Sequence, residues 1–153
     1  MRILSVKLHR ETDENPDLSY LGEYVSRTSV DNAIDRVERG DAGRNEYRYF
    51  VPTMTAEETG NPESPEQDYR RMESYNAQDW CMFGIFATAD VVLTGSVVQT
   101  IRSGGLWGVE SDSEESYLKS IEKDELDSLR DELIACGFSA RAISTAFKGA
   151  VRD

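Results

Sequence analysis

Residues 80–93 read WCMFGIFATADVVL, and this stretch decides the fold. Its odd positions, Cys81, Phe83, Ile85, Ala87, Ala89, Val91 and Leu93, are all apolar. A period of two over so long a run describes a β-strand with one face in the core. The even positions, Met82, Gly84, Phe86, Thr88, Asp90 and Val92, are mixed, so the second face is partly covered or edge-like. Gly84 is a candidate bulge. Thr94-Gly95-Ser96 then makes a tight turn, and SVVQTIR at 96–102 returns as the second strand of a hairpin.

Working outward, residues 2–10 alternate in the same way, with Leu4, Val6 and Leu8 on one side and Ser5, Lys7 and His9 on the other. A polar loop follows at 11–18, then a weaker strand at 20–26. Val30, Ala33, Ile34 and Val37 fall at helical spacing, so 30–39 is expected to be a short helix closed by Gly40. EYRYFVP at 46–52 reads as a strand ended by Pro52. Residues 53–65 read as an exposed loop, after which Ser64, Pro65 and Gln67 suit the start of a helix over 65–77.

Beyond the hairpin, SGGLWGVES at 103–111 is glycine-rich and reads as a loop around Trp107. Ser111 with Glu114 matches a capping box, Asp112 with Glu115 matches it one residue later, and a helix is expected over 113–136 with Tyr117, Leu118, Ile121, Leu126, Leu129, Leu133 and Ile134 inward. Gly137 suits a left-handed helix end with Phe138 packing back, and Ser139 caps a last helix at 140–149. The expectation is an α+β fold: a mainly antiparallel sheet with a central long hairpin, helices on one face and a C-terminal helical hairpin. A chain of 153 residues without an internal linker is expected to form a single domain, 1–153.

Composition limits function. Acids number 29 and bases 17, a net charge of −12. Such a chain is not expected to bind nucleic acid directly or to attach to an anionic membrane. No apolar run approaches the roughly 20 residues of a membrane-spanning helix. Cys81 and Cys136, distant and without a secretory signal, read as reduced thiols packed as small hydrophobes. No CxxC or HxxxH spacing occurs, so neither a metal nor a cofactor is expected. With His9 the sole histidine, and on the polar side of its strand, no catalytic residue is assigned.

The most distinctive charged feature is the segment 110–138. Glu110, Asp112, Glu114, Glu115, Glu122, Asp124, Glu125, Asp127, Asp131 and Glu132 stand there against Lys119, Lys123 and Arg130. Carboxylates presented to a basic groove steer association and compete with phosphates. Glu110, Asp112, Glu114, Glu115, Glu122 and Asp124 are therefore the expected binding residues, extended by Glu57, Glu58, Glu63, Glu66 and Asp68 if the two runs share a face. Arg36, Arg39, Arg44 and Arg48 lie among Glu38, Asp41 and Glu46, which favours intramolecular ion pairs. Trp107 is expected to anchor the core or its rim, or to line a ligand pocket beside the 80–93 strand.

DRVERGDAGRNEYRYFVP at 35–52, QDYRRMESYNAQDWCMFGI at 67–85, SGGLWGVESDSEESYL at 103–118 and GFSARAISTAF at 137–147 together resemble a group of small uncharacterised phage and bacterial mobile-element proteins. The resemblance spans about residues 2–148, and the SGGLWGVESDS block is its most specific part. It implies a cytoplasmic setting and assigns no role to any residue. The sequence thus points to a non-enzymatic interaction protein that binds a basic protein partner, such as a host nucleic-acid-handling or defence complex. The alternatives are a small enzyme or ligand-binding domain using Trp107, and a homo-oligomer formed through the mixed sheet face.

Overall fold

The computed structural model describes residues 1–41 and 47–153. The elements in chain order are β1 (Arg2–Thr12), β2 (Gly22–Val25), β3 (Ile34–Asp35), β4 (Tyr49–Pro52), α1 (Ala56–Thr59), α2 (Ser64–Asn76), β5 (Met82–Val92), β6 (Val98–Arg102), β7 (Leu106–Glu110), α3 (Glu115–Ala135), α4 (Ala140–Phe147) and β8 (Val151–Arg152). The α+β class read from the sequence is the class observed. The chain divides into two compact units, Met1–Glu14 with Cys81–Asp153, and Asn15–Trp80.

In the first unit β5 lies between β1 and the β6–β7 edge, with β8 beyond β1. The pairs β1–β5, β5–β6 and β5–β7 are antiparallel, and only the two-residue β8 runs parallel to its neighbour. The odd face of β5 is the core face, as its alternation requires. Ala87, Ala89 and Val91 join Val6 of β1, Leu129 and Leu133 of α3, Phe138 and Ile143 of α4. Ile85, Val109, Leu118 and Ile121 continue that layer. The end of α3 is built as the sequence predicts: Gly137 has φ +89°, its N–H reaches Ile134 O at 2.9 Å, and Phe138 N–H reaches Leu133 O at 3.0 Å. This pair of bonds satisfies carbonyls that a helix end leaves open.

Several expectations are corrected. The 103–111 segment is not all loop, because β7 pairs with the first half of β5. Glu114, not Ser111, is the N-cap residue of α3, and Ser111 Oγ instead accepts from Cys81 N–H at 2.9 Å. Tyr117 and Ile134 lie outside the core face of α3 and are exposed. Cys136 is exposed rather than packed inside, and Cys81 is half-buried.

In the second unit β4 lies between β2 and β3, both antiparallel to it. The expected helix at 30–39 does not form. Ile34 and Asp35 pair with β4, and Val30 and Val37 are exposed. The residue that turns inward after Ile34 is Arg36, fully buried at 0% exposure. Phe50 and Tyr69 form the apolar centre, 5.4 Å apart between ring centroids. Gly22 is required where it stands: its φ is +150°, and a Cβ would meet Phe50 Cζ and Val51 O at 2.5 Å.

The expected ion pairing of the Arg36–Arg48 segment is present, but with distant partners. Arg36 Nε donates to Glu73 Oε1 at 3.0 Å, Arg48 pairs with Asp35, and Arg39 pairs with Glu66. Arg36 also donates to the carbonyls of Tyr47 and Asp41 at 2.8 and 3.0 Å. Arg44 and Glu46 lie outside the described residues.

Candidate functional site

The acidic helix α3 is divided by its own geometry. On its inner side Glu122 is 5% exposed and accepts from Arg10 Nε at 2.9 Å and from Arg152 Nη2 at 2.6 Å. Glu115 accepts from Arg10 Nη2 at 3.0 Å, and that hydrogen bond holds its carboxyl below the usual carboxylate range. Two acids expected to contact a partner are therefore ion-paired to β1 and β8. Glu125 is committed as well: its Oε2 accepts from Ser103 Oγ and from Gly105 N–H, which fixes the irregular join between β6 and β7. Lys123 and Arg130 both pair with Asp127. Glu114, Asp124, Asp131 and Glu132 are exposed. Glu110 is half-buried and Asp112 exposed, and each has an interaction of its own within the fold.

The second acidic run falls in the other compact unit. Glu57, Glu58 and Glu63 are exposed there, while Glu66 is bound to Arg39 and Arg70.

The face of the first sheet opposite α3 and α4 carries the remaining chemistry. Register sets it out in rows across the strands. Ser5, Asp90 and Thr100 form one row, and the carboxylate of Asp90 accepts from Ser5 Oγ at 3.1 Å and Thr100 Oγ1 at 2.8 Å. Lys7, Thr88 and Arg102 form the next. His9 and Phe86 form the third, stacked at 4.7 Å with their planes 16° apart. His9 Nε2 lies 2.8 Å from Thr88 Oγ1, and Nδ1 lies 3.4 Å from Asp153 Oδ2. The Arg102 guanidinium sits over the Phe86 ring at 3.7 Å.

Trp107 completes this face. A Cβ at Gly84 would fall 2.4–2.6 Å from three atoms of the indole, so the ring lies flat on the backbone of β5. Phe86 flanks it at 6.4 Å, and Trp107 remains 43% exposed. Trp107 is thus at the rim rather than in the core, beside the buried Phe86, and Gly84 is the gap that seats it. His9 and Arg102, which the sequence reading left without a binding role, are brought to the Phe86 ring that flanks it. A shallow depression of about 240 Å³ adjoins the row, lined by His9, Arg10, Glu11 and Asp153.

No group of three or more His, Cys, Asp or Glu side chains is arranged to hold a metal ion among the described residues. No helix among them is long and apolar enough to cross a membrane. No family model, curated protein or solved structure matches the chain.

Proposed function

We propose that the chain is a non-enzymatic interaction protein that engages a basic protein partner through exposed carboxylates. What supports the reading is the way its own bases are used. Arg10, Arg36, Arg39, Arg48, Arg70, Lys123, Arg130 and Arg152 are each held by an acid of the fold. With a net charge of −12, the surplus acids remain for solvent or for a partner, and Glu114, Asp124, Asp131 and Glu132 are exposed along one helix. Exposed carboxylates of this kind accelerate and orient association with a positive surface. The resemblance to phage and mobile-element proteins favours a cytoplasmic host complex as the partner.

The experiment compares the wild-type chain with one carrying Glu114→Gln, Asp124→Asn, Asp131→Asn and Glu132→Gln. Both are used as bait in host-cell extract, and the partner recovered is then titrated at increasing salt. The expected result is a partner lost by the variant and an affinity that falls as ionic strength rises. Binding that survives the four substitutions, or ignores salt, overturns the proposal. Glu115 and Glu122 are excluded from the set because their loss would disturb the fold itself.

A further inference from the structure

We infer that the open face of the first sheet is a binding site for a small ligand that joins a planar ring to one anionic group, of the nucleoside monophosphate class. Three observations carry the inference, and none depends on the acidic helix.

The first is charge. In a chain with this acid excess, Lys7 and Arg102 stand on either side of Thr88 in one row, and among the described residues neither takes part in an ion pair. Adjacent strands lie about 4.8 Å apart, so the two Cα atoms are roughly 10 Å apart, a spacing that lets both side chains reach one phosphate from opposite sides. The Thr88 hydroxyl and the His9 ring, 2.8 Å apart, add hydrogen-bonding groups between them. Of the neighbouring acids, Asp90 keeps its charge but holds it in the next row, where Ser5 and Thr100 donate to its two oxygens, and Asp153 lies on the far side of the imidazole, at Nδ1.

The second is the platform. One face of the Trp107 indole is pressed on Gly84 while the residue as a whole is 43% exposed, so its outer side is open for stacking. A base stacked on such a surface gains affinity without sequence readout. The third is distance. Trp107 lies 6.4 Å from Phe86, and the Arg102 guanidinium 3.7 Å from the same ring, so aromatic and cationic elements are within about 10 Å of each other. One nucleoside monophosphate can touch both. A long polyanion is disfavoured, because its further phosphates would meet Glu11 and the acid excess of the chain.

The test is calorimetric titration of the full chain with adenosine 5′-monophosphate, with adenosine, inorganic phosphate and a short single-stranded oligonucleotide in parallel. The expected result is half-saturation by the monophosphate below about 1 mM. Lys7→Gln and Arg102→Gln should each weaken binding about tenfold, and Trp107→Leu at least as much. Circular dichroism checks that each variant is folded, and Arg102, exposed on an edge strand, keeps the test open if Trp107→Leu is not. Four outcomes overturn the inference: no heat at millimolar monophosphate; phosphate or adenosine alone binding as well as the whole nucleotide; folded Lys7→Gln and Arg102→Gln variants that bind like wild type; or tighter binding of the oligonucleotide, which would make the face a nucleic-acid surface. None of the four bears on the acidic-helix proposal.

Discussion

Glu122 of the acidic helix accepts a 2.6 Å hydrogen bond from Arg152, near the far end of the chain, and is almost wholly buried in doing so. Arg10 approaches the same carboxylate from β1. An acid that looks like surface charge in the sequence is thus the pin between α3, β1 and β8. Glu122→Gln should therefore destabilise the protein by about 1–2 kcal/mol, because Arg10 and Arg152 lose their shared buried partner and keep only Glu115. Asp124→Asn, two residues along on the exposed side, should change stability by less than about 0.5 kcal/mol. Urea unfolding of the two variants makes the comparison. Equal effects would show that Glu122 is only surface charge.

The seat of Trp107 can be filled. Gly84→Ala places a methyl group inside the indole ring, so the side chain must leave the strand. The expected result is a red-shifted tryptophan emission with a stability loss of about 1–2 kcal/mol. Trp80 is buried in the other unit and supplies an unchanged background. An emission spectrum identical to wild type would mean that the ring does not rest on Gly84.

Arg36 organises the second unit. Its guanidinium holds Glu73 and the carbonyls of Asp41 and Tyr47, and Tyr24 OH donates to the same Glu73 oxygen at 3.0 Å. Arg36→Met should cost about 3–5 kcal/mol by leaving Glu73 as an uncompensated buried charge. Adding Glu73→Gln should recover part of that loss, since the stranded charge is removed. A double variant no more stable than the single one would place the cost in packing instead.

Stability should fall at both ends of the pH scale. Glu115, Glu66, Asp35 and Asp127 are held below their ordinary values of 4.5 or 3.8; hydrogen bonds from arginine or lysine are the lowering cause in each, and for Glu66 they outweigh burial. Their contribution is present above the unfolded value and disappears as pH falls through the folded one, so acid loss begins below about pH 4.5. It should be shallow, because these pairs are largely solvated. Tyr69 behaves in the opposite sense. Burial, and then its hydrogen bond to Asp41, push its phenol up to about 12, and burial beside Glu73 raises Tyr24 still further. A neutral phenol kept in the fold favours the folded state below pH 10 and ceases to do so as pH rises toward 12. Melting temperatures from pH 3 to 11, with phenolate absorbance recorded alongside, should show that two of the seven phenolates appear only as the protein unfolds. Ionisation of all seven near pH 10 with the fold intact would contradict the setting of Tyr24 and Tyr69.

The strands with a regular alternation were legible from the sequence, although Leu4, read as inward with Val6 and Leu8, is exposed because the register of β1 shifts between Ile3 and Ser5. The C-terminal end of α3 and the N-cap of α4 were legible because their signals are local. What the sequence concealed was always a partner far along the chain. Glu122 looks like any helix acid until Arg10 and Arg152 arrive from both ends of the first unit. Arg36 broke the hydrophobic pattern of β3, so Val30, Ala33, Ile34 and Val37 read as a helix although Val30 and Val37 face solvent. β7 was hidden by its glycines, and the use of Trp107 depends on Gly84 in another strand. Fold class follows from periodicity, whereas the site follows from register.

The chain leaves the first unit and re-enters it at neighbouring points. Thr12 faces Phe83 across β1 and β5, and Asp13 N–H reaches Met82 O at 2.8 Å. The whole of Asn15–Trp80 therefore occupies the position of a hairpin turn. Loop-closure entropy grows only with the logarithm of length, so a long insertion costs the host sheet little more than a short one. In genetic terms the second unit is a cassette. A two-residue Asn-Gly turn would span the same seam. A cut there would also sort the acid excess into separable parts, because Glu57, Glu58 and Glu63 travel with the cassette while α3 stays with the first unit.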